Sequence, residues 1–331
     1  MRPDGGLPLN VLGIDVGGTK IAVAHVADGE VRASLEVPTP LESTDALLAA
    51  ITGLVREVSA KTGRPDAIGL GVPSQIDFAT GTVRSSMNIP LADVPLRARL
   101  EEQLGVPVFV DNDANVAALA EHARGGAENL VMLTLGTGVG GGVVIGGQLF
   151  RGATGLGAEL GHIVIHGDGP NCPGMCPNRG CLEAYCSGSA LERDATELAR
   201  DLPDSPLAQA AEEGGRVRGR VVVELARRGD RDALRLLEEL GRNLGIGIAT
   251  IVNVFEPRQV LIGGGLSRAA DLFLDRARDE ARARALPALF ANVEIATARG
   301  GPEAGVIGAA ALAEQELARL GDTSTTPEGT R

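Results

Sequence analysis

The chain has 331 residues, 44% hydrophobic and 22% charged, the balance of a globular protein too long for one small core. It has no tryptophan, one tyrosine and a net charge of −12, which disfavours stacking on nucleobases and attraction to nucleic acid or anionic membrane. No apolar run reaches membrane-spanning length, and the opening MRPDGGLPLN has no apolar signal core, so a cytoplasmic location is expected.

Three short apolar or alternating runs come first, Val11–Val16, Ile21–Val26 and Val31–Val37, separated by the turn signals GGT and ADGE. Their pattern predicts a β-meander. Helical spacing of Leu47, Leu48, Ile51, Leu54, Val55 and Val58 predicts a helix near Thr44–Lys61. Strands are expected at Ala67–Val72 and Val106–Val110, then an alanine-rich helix over Asn112–Arg124. The scheme then restarts with strands at Leu130–Leu135, Gly142–Ile145 and Gln148–Phe150. LNVLGIDVGGTKIAVAHVADGEV and NLVMLTLGTGVGGGVVIGGQL share the order strand, Gly/Thr turn, strand, Gly turn, strand. This internal repeat suggests two lobes with a nucleotide clamped between them. Ala190–Asn253 reads as almost wholly helical, with amphipathic pieces at Leu191–Arg200, Val221–Arg228 and Ala233–Val254. Gln259–Ile262 is a strand running into GGGLS and a further helix, Val293–Ala296 a last strand and Gly305–Leu320 a last helix. The polar 321–331 segment is expected to be disordered.

Several motifs carry chemistry. Asp15-Val16-Gly17-Gly18-Thr19-Lys20 occupies a hairpin turn whose glycines let backbone N–H groups approach a phosphate, with Thr19 adding a hydroxyl. Asp15 stands at the strand end, where a carboxylate can hold Mg2+ through water. Taken alone, the turn reads equally well as an ordinary hairpin. Gly136, Thr137 and Gly138 open the matching turn of the second repeat, and two equivalent turns favour phosphate binding. Asp111-Asn112-Asp113-Ala114-Asn115 follows a strand and starts a helix. One polar residue suffices for a cap, and four crowd this turn. A carboxylate there suits a general base acting on a sugar hydroxyl. Gly263, Gly264 and Gly265 end a buried strand and permit close approach of a flat ring such as adenine. All four cysteines, Cys172, Cys176, Cys181 and Cys186, fall within one short stretch. With His162, the first three have the ligand types of a Cys3His zinc site; His166 competes for the histidine position, and Cys186 reads as a buried apolar residue. A redox pair would prefer CxxC, which is absent.

Together these motifs resemble the ROK family of sugar kinases and repressors, in particular its zinc-containing glucokinase-like members, over about residues 10–318. DVGGTK and LGTGVGGG match the two phosphate motifs, Asn112–Asn115 the catalytic NDAN, Glu159-Leu160-Gly161-His162 the E-x-G-H signature, Cys172 to Glu183 the cysteine loop, and IGGGLS the nucleotide motif. The resemblance implies an α/β, two-lobed actin-like/ribonuclease H-like ATPase fold with the active site in the interlobe cleft. It implies lobes at 1–114 plus about 303–320 and at 115–302, the larger lobe carrying the zinc loop and a helical insertion. It makes Asp113 the general base, with Asp111 secondary. Asn88, Asn112, Glu159, His162 and Glu183 become sugar ligands. Asp15, Gly17, Gly18, Thr19, Lys20, Gly136, Thr137, Gly138, Gly263, Gly264 and Gly265 become the ATP and Mg2+ site. His162, Cys172, Cys176 and Cys181 become ligands of a structural zinc, and a homodimer is implied.

The expected reaction is ATP-dependent phosphorylation of a hexose, glucose first, with N-acetylmannosamine, N-acetylglucosamine, fructose or allose as rivals. A polyphosphate donor fits less well, since such members tend to lack the cysteine loop. A DNA-binding repressor needs a helix-turn-helix before the first phosphate motif, where only about ten residues stand. A non-catalytic sensor is disfavoured by the intact Asp113. The chain departs from the family pattern at Cys172-Pro-Gly-Met-Cys176, two residues longer than CxC, at Ser74 in place of the glycine of GxPG, and at Leu91 in place of a tryptophan.

Overall fold

The computed structural model describes residues 9–86, 88–211, 214–301 and 303–323, with side chains at the C-terminal end described to 320. In chain order the elements are β1 (Val11–Val16), β2 (Lys20–Ala27), β3 (Glu30–Pro38), α1 (Thr44–Thr62), β4 (Ala67–Val72), β5 (Ser74–Asp77), β6 (Thr82–Ser86), α2 (Leu96–Leu104), β7 (Val108–Asn112) and α3 (Asp113–Ala123). There follow β8 (Leu130–Leu135), β9 (Val139–Ile145), β10 (Gln148–Leu149), α4 (Glu183–Cys186), α5 (Gly188–Asp201), α6 (Pro206–Gln209), α7 (Gly219–Arg227) and α8 (Arg231–Phe255). The last are β11 (Gln259–Gly263), α9 (Leu274–Arg284), α10 (Pro287–Phe290), β12 (Glu294–Thr297) and α11 (Ala304–Thr323). Two 3-10 segments, Leu160–His162 and Gly265–Leu272, complete the set.

The chain forms two compact units, Met1–Glu128 with Gly142–Ala158 and Arg299–Arg331, and Asn129–Gly141 with Glu159–Ala298. Boundaries at 114 and about 303 are expected from the sequence. The first unit instead keeps the whole of α3, because α3 packs against α11. Glu121, buried on α3, accepts hydrogen bonds from the N–H groups of Arg299 (3.1 Å) and Gly300 (2.8 Å). That carboxylate fixes the segment leading into α11. α11 runs to Thr323, past the expected start of the tail, and residues 324–331 lie outside the described residues.

The first sheet has the order β3-β2-β1-β4-β7 and the second β10-β9-β8-β11-β12. In the first, β1 pairs antiparallel with β2 and parallel with β4, which pairs parallel with β7. In the second, β8, β11 and β12 are parallel and β9 and β10 antiparallel. The repeat read from the sequence is therefore a repeat of topology. Buried on both faces, β4 is AIGLGV without a polar side chain, as a central parallel strand requires. β3 alternates exposed and half-buried positions and carries Glu30, Arg32 and Glu36, which protect an open edge.

Parallel register positions the chemistry. Asp15 pairs with Gly71, Gly71 with Asp111, and Val72 with Asn112, so these groups share the carboxyl ends of three adjacent strands. α1 starts at Ser43, whose hydroxyl caps the Ala46 N–H, and stops at Gly63. Its buried positions include the six residues spaced for it in the sequence. The apolar half of α8 is core: Leu244, Ile248, Ile251 and Val252 are buried, while Val254 is exposed. The sequence reading passed over β5, β6 and α2. The hairpin strands are short and polar, and α2 shows its face only through Leu96, Leu100 and Leu104.

Candidate active site and cysteine cluster

In the first unit, the DVGGTK turn closes on itself and on the end of β3. The Gly17 N–H donates to the Lys20 carbonyl at 2.9 Å, and the Thr39 hydroxyl donates to the Gly17 carbonyl at 2.7 Å. Gly18 faces Asn88, and Thr19 is exposed. Lys20 pairs with Glu36 at 2.8 Å on the surface. Asp15 lies behind the turn, where burial raises its carboxyl and Lys20 opposes that rise.

Asn112 ends β7 and caps α3. Its side-chain oxygen accepts from the Ala114 N–H at 2.8 Å, and its amide donates to the Ser74 carbonyl at 3.2 Å. Asp113 is the first residue of α3, where the helix N-terminus favours a carboxylate, and it accepts from the same N–H at 2.9 Å. Its side chain reaches solvent while protein crowds its other sides. That desolvation, with repulsion from Asp15, raises its carboxyl to about 6. Asp111 is different. It is buried, accepts from the Asn112 N–H and the Asn115 amide at 2.8 Å each, and pairs with Arg151 Nε at 2.6 Å. Of the two carboxylates flanking Asn112, Asp113 alone has solvent access.

Arg151 escaped the sequence reading. The available signal was a single charge within the otherwise apolar and glycine-rich QLFRGATGLG.

In the second unit, the Gly136–Gly138 turn is held from the cysteine loop. Gly136 N–H donates to the Gly138 carbonyl at 2.9 Å, and Gly188 N–H donates to the Gly136 carbonyl at 2.7 Å. Glu183, the first residue of α4, accepts from the Val139 N–H at 2.7 Å. A Cβ on Gly138 would meet that carboxylate, so the contact requires glycine. Gly263 ends β11, paired with Thr134 of β8, and Gly264 and Gly265 follow it into the 3-10 segment. The Ser267 hydroxyl donates to the Gly264 carbonyl at 2.8 Å. Glu159 is exposed and leads directly into the 3-10 turn containing His162.

The ligand atoms of His162, Cys172, Cys176 and Cys181 all lie within 4.8 Å of one another. Cys172 Sγ is 3.3 Å from His162 Nδ1, and Cys176 Sγ is 4.0 Å from Cys181 Sγ. A tetrahedral zinc spaces such atoms at about 3.6–3.8 Å, from bonds of about 2.0–2.3 Å. The donor set therefore fits zinc. The longer Cys172–Cys176 spacing is taken up by a surface loop in which Met175 is almost fully exposed. His166 turns elsewhere: its Nε2 is 2.8 Å from Asn243 Oδ1, and its ring packs edge-on against Tyr185. Cys186 is fully buried beside the Leu240 carbonyl.

Among the described residues, no helix is long and apolar enough to cross a membrane. The ROK family pattern matches residues 11–316. A glucokinase of Halalkalibacterium halodurans is 37% identical over 318 residues, covering 92% of this chain and 95% of that protein. The structure of a ROK hexokinase from Thermus thermophilus superposes with a TM-score of 0.81 at 38% identity, covering 93% and 99% of the two chains. A ROK family glucokinase from Streptomyces griseus, solved with glucose and AMPPNP, gives a TM-score of 0.72 at 35% identity, covering 92% and 99%. These neighbours share the α/β actin-like ATPase fold expected from the sequence. With the family pattern spanning nearly the whole chain and a relative 37% identical over 92% of it, this protein belongs to the ROK family.

Proposed function

We propose that the protein is an ATP-dependent glucokinase that converts glucose and ATP to glucose 6-phosphate and ADP. The observation that carries this reading is Asp113, an accessible carboxylate raised to about 6 at the carboxyl end of a parallel strand. The similarity to glucokinases, one of them solved with glucose and AMPPNP, selects the sugar and the donor.

In this mechanism Asp113 accepts the proton of the sugar 6-hydroxyl as that oxygen attacks the γ-phosphorus. The bond from the γ-phosphorus to the β,γ-bridging oxygen breaks and ADP leaves. Asn112 is held rigidly by Ala114 and Ser74, and serves with Asn88, Glu159, His162 and Glu183 to hydrogen-bond the sugar hydroxyls. Backbone N–H groups around Gly17, Gly18 and Thr19, and around Gly136, Thr137 and Gly138, hold the phosphates. Lys20 adds positive charge there, and Gly263, Gly264 and Gly265 leave room for the adenine. Asp15 would hold Mg2+, which when bound neutralises phosphate charge.

His162, Cys172, Cys176 and Cys181 would hold a structural zinc, which supplies order to the loop and takes no part in phosphoryl transfer. Burial and the neighbouring thiols push the Cys172 thiol upward, so it holds its proton until a cation displaces it. With Nδ1 facing Cys172, His162 keeps Nε2 for the sugar. A cytoplasmic homodimer acting at the entry of glucose into glycolysis belongs to the same reading.

The test is ADP release with Mg-ATP against a panel of hexoses, using protein of verified zinc content. Turnover on glucose well above the other sugars supports a glucokinase. Turnover confined to an amino sugar or fructose moves the substrate. No turnover on any sugar, with zinc bound, overturns the kinase reading.

A further inference from the structure

The mechanism above uses Asp113 and Asn112 and leaves unexplained the buried charges beneath them. Asp111 and Arg151 are each over nine-tenths buried and meet at 2.6 Å. Arg151 Nη2 lies 3.1 Å from Glu316 of α11, and Glu316 in turn pairs with Arg319 at 3.0 Å. Charges alternate along this chain of four groups and sum to zero. The Arg151 guanidinium also lies over Phe78, 3.7 Å from the ring centre. Phe78 is covered by Gly155 of the same loop, at a spot where a Cβ would collide with its backbone. The Gly157 N–H donates to the Arg151 carbonyl at 2.9 Å and closes that loop. All these groups belong to the first unit.

Taking such ions out of water is costly, and a hydrophobic set of the same volume is often as stable. A buried pair is therefore better explained by what it orients. Asp111 orients the turn that begins α3. One of its oxygens takes the Asn112 N–H and the Asn115 amide, and the other takes Arg151. With both oxygens engaged, the Asp111 carboxylate cannot rotate without breaking a charged hydrogen bond. Asn112 and Asp113 project from the backbone it holds.

We propose that Arg151 is a positioning residue, its buried guanidinium locking Asp111 and thereby the strand end that presents Asn112 and Asp113. The inference rests on the reading of Asp113 as general base. It adds that the base is aimed by a charge 38 residues further along the chain, on a different loop, and not only by its own helix cap.

The experiment measures kcat and KM of Arg151→Ala on glucose, with and without millimolar guanidinium, beside Asp113→Asn. Backbone amide exchange at Asn112–Ala114 is read in the same proteins. The expected result is a folded Arg151→Ala whose kcat is about 10²-fold down with KM little changed, as for a misplaced catalytic group. Exchange at Asn112–Ala114 quickens about tenfold, and added guanidinium restores part of kcat. A folded Arg151→Ala with wild-type kcat and wild-type exchange overturns the proposal. So does a kcat loss that guanidinium does not relieve while exchange stays at the wild-type rate. If Arg151→Ala does not fold, the near-isosteric Asp111→Asn is measured instead. It must lose kcat and gain exchange while folded, and wild-type values for both overturn the proposal. Wild-type turnover in Asp113→Asn refutes the general-base reading, no turnover in the parent refutes the kinase reading, and in either case the exchange rates decide whether Arg151 holds the strand end.

Discussion

The same hairpin turn occurs twice in this molecule and is held in two different ways. The first, Gly17–Lys20, is closed by its own backbone and by Thr39 at the neighbouring strand end. The second, Gly136–Gly138, is tied to Gly188 and, through Val139, to Glu183, residues that follow the cysteine cluster directly. The first turn therefore needs only its sheet. The second is also tied to the loop that carries the His162, Cys172, Cys176 and Cys181 cluster. A repeat in sequence and topology thus conceals an asymmetry in support, and the two turns should respond differently to the same insult.

The largest effect should come from a change that leaves both turns intact. Asp113→Asn should lower kcat about 10²–10⁴-fold with little change in ATP affinity, measured by steady-state kinetics and nucleotide titration. On the proposed mechanism, Asp113 of the parent acts as a base only when ionised. Since burial raises its carboxyl to about 6, kcat should be full well above that pH and fall about tenfold per unit below it. An acid limb near the ordinary aspartate value would remove the desolvation argument.

Chelation or Cys181→Ser should come next and break the symmetry directly. Activity should fall about 10²-fold. Amide exchange should quicken around Gly136–Val139 and stay unchanged around Gly17–Lys20, which hydrogen exchange with peptide mapping would read. Equal loosening of both turns would contradict the comparison. Glu183→Ala then removes one charged hydrogen bond from the second turn. About 2 kcal/mol is at stake, roughly thirtyfold in the KM for ATP, and the KM for glucose should rise with it because Glu183 is also a proposed sugar ligand. The smallest effect belongs to the first turn. Thr39→Val removes one neutral hydrogen bond, about 1 kcal/mol, and should raise the KM for ATP about fivefold.

Much of this site was legible beforehand because it is made of contiguous residues. DVGGTK, NDAN and the cysteine stretch each put several polar or thiol groups into one turn, and a turn's shape is set by local chemistry. The choice of His162 over His166 was not local. Both fit the spacing, and what removes His166 is Asn243, which comes from α8. Asp111 and Asp113 are likewise two residues apart and of one chemical type. Only Arg151 separates a neutralised structural carboxylate from an accessible one.

The sequence by itself determined the central strands, the long helices, the repeated hairpins and the family, since hydrophobic period and glycine placement are local properties. Tertiary structure alone decided where α3 belongs, which histidine lies beside the thiols, and how each Gly/Thr turn is supported. It also decided that Asp111, Arg151, Glu316 and Arg319 form one chain of charges. Those outcomes depend on burial and on partners distant in the chain, and the energy of a charge is set by its surroundings rather than by its place in the sequence.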